Sequence, residues 1–501
     1  MMQRQLPTVA VALFVKNEFS DIKGWISWYF ALGVKTLFIF DDHSTDGTWD
    51  ILQAAAKCYD IRLYRTDPVN QPSFYWRQRD SFLQALAECR GKYDWLGFLD
   101  GDEYVYIKHF DSLPEFFYRF DHADAVAFSW RIYGHSNQIL RPRKTAVEAY
   151  LQHSTPELGD NHLIKSFVRP DKMGTTYHSP HWFDDISIDR YVRPHGGKVK
   201  WGGPDQEIDW SDAFVMHYIC RSMDHFIQRV KKRPDNHTYW KRFDHSSMKD
   251  EEPLRFIPKV YEVMEPIHRE MLKSAILKIR NLTYVDKNTP REYSTVNSSN
   301  EMEIPSVVRV RTYFETFLYC DPTGHVIHAT EEHANAQGWI PMMGLMYPST
   351  PDLIVMHAKD NASKFLRLQS SPFVYERLIF RLAEVKEGKK ALLSLSGNLH
   401  FYTCFLPTDG RRGLISADRL EAKDYETVNV DFWYSGDQFQ EKPLPFIINN
   451  ATTVDDIIKW VSTAEEVPSG EQFLRVLHAV PSSVRDYISE YIAPGLLWPF
   501  L

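Results

Sequence analysis

An α/β fold built on a doubly wound sheet is what the N-terminal hundred residues predict, and two observations predict it. Short apolar, β-branched runs alternate with amphipathic stretches, and each run stops at a cluster of polar residues. Thr8 to Val15 reads as a first strand, ending at Lys16-Asn17-Glu18. Asp21 to Leu32 follows with Ile22, Trp25, Ile26 and Tyr29 on one face, the spacing of a helix. Lys35 to Phe40 is a second strand that stops at Asp41-Asp42, and the turn Ser44-Thr45-Asp46-Gly47 offers an N-cap for a helix over Thr48 to Lys57. Ile61 to Tyr64 is a third strand, Phe74 to Cys89 a helix, and Trp95 to Leu99 a fourth strand stopping at Asp100. In such a sheet the ligand lies in the crevice beyond the carboxyl ends of the strands.

The remaining chain is less regular. A strand is expected over Ala125 to Trp130 and another near Phe214 to Tyr218, with helices after Ser222 and Pro253. Residues 284–306 are dense in Asn, Ser, Thr and Pro. The expected organisation is a catalytic domain over 1–285, a linker over 286–306 and a β-rich module over 307–501 with a helical tail from Thr453 to Tyr491. Within that module Thr312 to Tyr319, Leu353 to His357, Lys364 to Gln369, Leu392 to Ser396 and His400 to Phe405 read as strands. Tyr313, Phe314, Phe365, Tyr402 and Trp433 suit sugar rings, although core packing would use the same residues. His325, His328 and His333 lack carboxylate or cysteine company and read as a chance cluster.

Composition narrows the function. The chain has 501 residues, 58 basic against 66 acidic, for a net charge of −8, so no basic excess recommends nucleic acid as a partner. The longest apolar run, Val9 to Val15, is far short of the ~20 residues of a membrane span. It also lacks the small-residue cleavage pattern of a signal peptide, so a cytoplasmic location is expected. Five cysteines, odd in number and without a Cys-x-x-Cys pair, read as reduced thiols. No G-x-G-x-x-G and no G-x-x-x-x-G-K-[ST] occurs, which removes dinucleotide oxidoreductases and P-loop NTPases.

The sharpest chemical feature is Asp100-Gly101-Asp102-Glu103, placed directly after an apolar strand. Asp100 and Asp102 can share a hard divalent cation, Mn²⁺ or Mg²⁺, that keeps positions open for diphosphate oxygens. Three polar strand ends then converge on one crevice: Lys16-Asn17-Glu18, Asp41 to Thr48, and the acidic cluster.

Taken with the motifs "VKNE", "FDDHSTDGT", "DWLGFLDGDEYV" and "HYICRSMDHFIQRVKKRP", the first ~220 residues resemble a GT-A glycosyltransferase of the family 2 and family 92 type. The resemblance implies a nucleotide-sugar donor and a glycan or other hydroxyl acceptor, in polysaccharide biosynthesis. It implies Asn17, Glu18 and Asp42 near base and ribose, Asp46 fixing its own turn, Asp100 at ribose and metal, Asp102 as the direct metal ligand, and His217 completing the coordination. Lys16, Arg77, Arg79, Lys165 and Arg169 are the candidate cations for the departing diphosphate.

An inverting transfer also needs a carboxylate to take the acceptor's proton. Trp201 to Glu207 faintly resembles the acceptor segment of family 2 enzymes, which puts Asp205 and Glu207 first, with Asp184 and Asp185 behind. His178, His181 and Trp182 are expected to line the acceptor site. Two alternatives stay open: a catalytically inactive carbohydrate-binding protein, and a metal-dependent nucleotidyltransferase, which would ordinarily carry a Gly-rich loop where Lys16-Asn17-Glu18 stands.

Overall fold

Four parallel strands lie side by side in the order β3-β2-β1-β4: β1 (Val9–Val15), β2 (Thr36–Asp41), β3 (Ile61–Arg65) and β4 (Trp95–Leu99). Between them run α1 (Ile22–Ala31), α2 (Thr48–Ala56) and α3 (Phe74–Cys89), so the alternation in the sequence is the alternation in the fold. The computed structural model describes residues 5–200, 207–232, 234–282, 302–360, 365–368, 374–375, 377–386, 388–395 and 400–501. The chain divides into two compact units, Met1–Met271 and Leu272–Leu501. The expected linker, 286–306, lies mostly outside the described residues.

β1 is buried along its whole length because both sheet faces are covered. Ala10, Ala12 and Phe14 pack with Phe38, Phe40 and Phe98 against Phe82, Ala85, Leu86 and Cys89 of α3. Each large side chain so buried contributes roughly 1.5–3 kcal/mol. Register sets the strand tips level: Leu13 pairs with Leu99, and Val15 with Asp41. Asn17, Asp42 and Asp100 therefore emerge from three neighbouring strands spaced ~4.8 Å apart.

The sheet continues through β8 (Ile164–Val168), antiparallel to β4, and β6 (Ala125–Ile132), antiparallel to β8. β6 serves two neighbours in succession. Ala125 to Ser129 pair with β8, and Trp130 to Ile132 pair with β10 (Ala213–His217). β10 then pairs antiparallel with β5 (Glu103–Ile107), so the sheet curls until β5, at its far edge, follows β4 after a three-residue turn. Trp25 of α1 spans that turn, its Nε1 donating to the carbonyls of Asp100 at 3.1 Å and Glu103 at 3.0 Å.

Smaller elements complete the unit: α4 (Leu113–Phe117), α5 (Ala146–Ala149), the ribbon of β7 (Gln152–His153) with β11 (Met248–Lys249), β9 (Tyr191–Val192) beside β6, α6 (Met223–Lys232), α7 (Tyr239–Phe243) and the first turns of α8 (Ile257–Arg280).

The second unit is an antiparallel, barrel-like sheet. β12 (Ser306–Thr312), β13 (Phe317–Cys320), β14 (Val326–Ala329), β15 (Ile340–Met346), β16 (Leu353–Ala358), β19 (Leu378–Lys386), β20 (Lys389–Ser394), β21 (Phe401–Cys404), β22 (Arg412–Arg419) and β23 (Thr427–Ser435) belong to it, β17 (Leu366–Arg367) and β18 (Val374–Tyr375) form a separate ribbon, and α9 (Glu331–Gln337) follows β14. β12 pairs with both β23 and β15, which closes a ring through β20, β19 and β16. Where one strand was expected over Thr312 to Tyr319, a turn at Tyr313 to Thr316 separates β12 from β13, and Glu315 sits at φ +56°. Tyr402 and Phe365 are buried, so these two candidates for sugar contact are packing residues, Tyr402 in the barrel core; Tyr313 is 46% exposed. His328 is a core histidine, bonded to Thr316 Oγ1 and the Phe405 carbonyl. The tail is helical, as α10 (Val454–Thr463), α11 (Gly470–Ala479) and α12 (Ser482–Tyr487). None of the five cysteines forms a disulfide. Among the described residues no helix is long and apolar enough to cross a membrane.

Candidate active site

At the tip of β1, Asn17 adopts φ +58°, a conformation asparagine tolerates better than most residues. Its Oδ1 accepts from Thr45 N and its own N–H donates to Ser44 Oγ, both at 2.8 Å, so the first two strand ends are stitched together. Asp46 holds the turn it belongs to, accepting from the N–H and hydroxyl of Thr48, while Gly47 at φ +96° opens α2.

Asp42 is 1% exposed and ringed by donors: Arg77 through Nε at 2.7 Å and Nη2 at 2.8 Å, Thr66 Oγ1 at 2.7 Å, and Lys16 Nζ at 3.5 Å. Burial pushes its pKa up, but the hydrogen bonds of Arg77 and Thr66 and the charges of Lys16 and Arg77 outweigh it and bring the carboxyl down to about 2. Arg77 also donates to the carbonyls of Gln71 and Pro72, bracing the loop before α3. Lys16, 43% exposed, is the cation of this group that reaches solvent.

The acidic turn distributes its two aspartates between two halves of the curled sheet. Asp100, on the β4 side, accepts from Lys165 Nζ of β8 at 2.7 Å. Lys165 is wholly buried and also reaches Glu103 Oε2 at 3.1 Å, and Glu103 takes the N–H of Asp100 at 2.9 Å. Burial lowers the lysine pKa, yet Asp100 and Glu103 raise it further, so the ammonium is retained. Burial pushes Glu103 to about 7, with Lys165 opposing and Asp100 adding to the rise.

Asp102, on the β5 side, faces His217 of β10, whose Nε2 stands 3.5 Å from Oδ1; Arg229 of α6 lies 3.7 Å from Oδ2. Burial would raise the Asp102 pKa, but His217, Arg229 and Arg221 hold it well below the usual carboxylate range. Pairing of His217 with Glu103 in the β10–β5 ladder fixes this approach. Behind the turn, Arg221, 2% exposed and at φ +53°, bonds Glu18 and Asp21 and donates to the Gly101 carbonyl at 3.3 Å. A Cβ at Gly101 would stand 3.6 Å from Glu18 Cγ, which shows how closely the first and fourth strand ends meet.

A further wall is aromatic. Trp130 lies between two imidazoles, with ring centroids 4.1 Å from His217 and 5.3 Å from His181. His181 donates Nδ1–H to the Ile164 carbonyl at 2.8 Å, the only role a carbonyl partner permits. Burial and the Lys165 charge bring its pKa down to about 4. Trp182 stacks on Tyr191 at 4.1 Å and donates to Asp184 Oδ1 at 3.0 Å. His178 is exposed, 3.6 Å from Asp184, and Tyr75 of α3 donates to the carbonyls of Tyr177 and His178.

Of the candidate bases, Glu207 is exposed and 3.6 Å from Arg193, and Asp185 accepts from Thr176 N. Asp205 lies outside the described residues. Two of the expected phosphate cations stand elsewhere. Arg79 pairs with its neighbour Asp80 and lies over Trp76. Arg169 bonds the Ala123 and Phe120 carbonyls over the Trp95 ring, at the end of β4 opposite Asp100. The antiparallel run of β8 causes this: Val168 pairs with Leu96, so Lys165 and Arg169 leave the strand at opposite ends.

Sequence reading did not foresee Glu103, Trp130, Arg221 and Arg229 as site residues, nor Lys165 as the partner of Asp100. Arg221 and Arg229 belong to the "HYICRSMDHFIQRVKKRP" segment, so that motif held their signal.

Among the described residues no three His, Cys, Asp or Glu side chains converge as metal ligands. Asp102 and His217 form a pair of donors. A carboxylate oxygen and an imidazole lone pair 3.5 Å apart repel unless a proton or a cation joins them, so the pair fits a divalent ion whose remaining positions come from water and substrate.

Residues 8–253 match the description Glycosyltransferase family 92. A family 92 protein of Ricinus communis is 25% identical over 251 residues, 47% of this chain and 39% of that protein. One of Arabidopsis thaliana is 21% identical over 262 residues, 49% of this chain and 41% of its own. One of Oryza sativa subsp. japonica is 22% identical over 175 residues, 34% of this chain and 28% of its own. The chain thus spans between 28% and 41% of the length of these relatives. Crystal structures of S. aureus TarS 1–349, free and in complex with UDP, cover 55% and 54% of this chain and 84% and 83% of their own, at 11% identity and TM-scores of 0.25 and 0.26. On the strength of the matched segment and the motifs inside it, residues 8–253, just under half of the chain, are similar to glycosyltransferase family 92.

Proposed function

We propose that the N-terminal unit transfers a hexosyl group from a nucleotide diphosphate sugar, a UDP-sugar foremost, to a hydroxyl of a glycan acceptor with inversion, using Mn²⁺ or Mg²⁺. The observation that carries this reading is the adjacency of three strand tips with the Asp102–His217 pair, 3.5 Å apart, inside a segment that matches a glycosyltransferase family.

Asp102 and His217 are the residues that would hold the cation, and a bound cation would supply positive charge for the departing diphosphate. Asn17 and the Asp42–Arg77 pair form the floor on the nucleotide side, with Lys16 as the solvent-reaching cation there. Asp100, its side chain 36% exposed, stands at the β4 tip beside that floor. His178, His181 and Trp182 form the acceptor side, where Asp205, Glu207 and Asp184 are the carboxylates from which the proton acceptor is drawn. Trp130 stands between His181 and His217.

The test is nucleotide release from UDP-, GDP- and CMP-sugars with Mn²⁺, in wild type and Asp102→Asn. Turnover of one donor class, lost by ~10³-fold or more in the variant, supports the reading. Equal turnover in both proteins ends the assignment of the cation site. Failure to bind any donor in Mn²⁺ favours a carbohydrate-binding protein without transferase activity.

A further inference from the structure

Resting on that reading, we infer that Trp25 is a positioning residue for the acidic turn: one indole N–H, shared between the two ends of the turn's backbone, sets the path that carries Asp100 and Asp102. β5 lies at the edge of its sheet, with β10 on one side and, among the described residues, no strand on the other. The Asp102 carbonyl accepts from Tyr218 N on the β10 side at 2.9 Å, so by the alternation of an antiparallel edge Glu103 and Val105 turn their backbone groups outward. Side chains of α1 meet them there. Tyr29 Oη donates to the Glu103 carbonyl at 2.9 Å and accepts from Val105 N at 3.1 Å, and Trp28 Nε1 donates to the Val105 carbonyl at 2.8 Å. The match is geometric. One helical turn advances ~5.4 Å and two strand residues ~6.8 Å, so side chains at i, i+3 and i+4 keep step with every second residue of the strand. Trp25, Trp28 and Tyr29 are all buried, and α1 stands in for the missing strand.

Trp25 does more than its two companions, because its N–H is divided between the carbonyl that ends the β4 side, Asp100 at 3.1 Å, and the carbonyl that opens β5, Glu103 at 3.0 Å. Glu103 N closes the same turn on the Asp100 carbonyl at 3.1 Å. Between these ends, Arg221 Nη2 holds the Gly101 carbonyl at 3.3 Å and Tyr218 N holds that of Asp102. β4 is flanked by β1 and β8 and β5 by β10, so no ladder joins the two strands, and the indole fixes the separation of the turn's ends. Without that N–H the Asp100 end is held by one backbone bond, and Gly101 gives the turn room to shift. A displacement of ~1 Å at reacting groups can cost ~10²-fold in rate.

The test compares Trp25→Phe, Trp28→Phe and Trp25→benzothienylalanine in the full chain, the last replacing the N–H by sulfur while the ring keeps its size. Nucleotide release from the donor that wild type uses gives kcat and the Mn²⁺ concentration for half-maximal rate, and thermal unfolding gives stability. Both phenylalanine variants should lower the thermal midpoint, since each leaves a gap in a buried aromatic layer. Only the two Trp25 variants should lose ~30-fold in kcat and raise the Mn²⁺ requirement by ~5-fold, with Trp28→Phe within ~3-fold of wild type on both measures. If Trp25→Phe does not fold, Trp25→benzothienylalanine decides. Wild-type kcat in Trp25→benzothienylalanine, or an equal loss in Trp28→Phe, reduces α1 to packing; it overturns the inference and leaves the transferase reading standing. Wild-type protein that releases nucleotide from no donor ends the transferase reading, and the inference with it.

Discussion

The two halves of the N-terminal unit put their candidate site residues in place by different means. At the strand tips, β1 to β4 are parallel neighbours in register, so every tip points to the same crevice and local sequence is enough to locate Asn17, Asp42 and Asp100. Around the acidic turn and the Trp130 wall, each residue depends on a partner far along the chain: His217 on Glu103, His181 on Ile164, Arg221 on Glu18. Positions set by register are robust, because shifting one strand would expose a whole buried face. Positions set by single long-range contacts are individually breakable.

The largest effect is expected where both means meet. Asp102→Asn should cost ~10³-fold in kcat/KM with little change in thermal midpoint, read by steady-state nucleotide release. Arg221→Met attacks the other side of the turn. It leaves Glu18 and Asp21 without their buried cation and should destabilise the unit by ~3–5 kcal/mol in urea unfolding. Retention of wild-type stability would mean that the acidic turn is held from the β1 side alone. Arg77→Lys keeps the charge but not the two-pronged contact with Asp42, and should raise the donor KM by ~10-fold with kcat within ~3-fold.

Asp42 gives the comparison a pH signature. Its native pKa of about 2 lies below the unfolded value, so its contribution to stability is complete above the unfolded carboxylate pKa and is lost as pH falls toward 2. The stability gap between wild type and Asp42→Asn, about 2 kcal/mol at pH 6, should close between pH 4 and pH 2 in urea titrations. A gap independent of pH would mean that the Asp42–Arg77 pair adds nothing by charge. The smallest effect belongs to Arg79→Ala, within ~2-fold of wild-type turnover, since its guanidinium is spent on Asp80 and the Trp76 ring at the surface.

The β-rich unit shows the same limit of sequence reading from another direction. Alternating apolar residues announced strands, but Thr312 to Tyr319 concealed a turn because Tyr313 and Phe314 continue the aromatic pattern through it. Tyr402 is buried in the barrel core on β21 and Tyr313 is exposed in the turn after β12, and composition carries no such information.

By itself the sequence determined the βαβ alternation, the order of the polar strand tips and the acidic turn, because hydrophobic period and turn chemistry act over a few residues. Only the tertiary structure decided that β6 changes partners at Trp130, that β5 therefore lands beside β10, and that Asp100 faces a lysine while Asp102 faces a histidine. The physical reason is the curl of the sheet: two carboxylates two residues apart are chemically alike along the chain, and the strands that happen to flank them give them opposite surroundings.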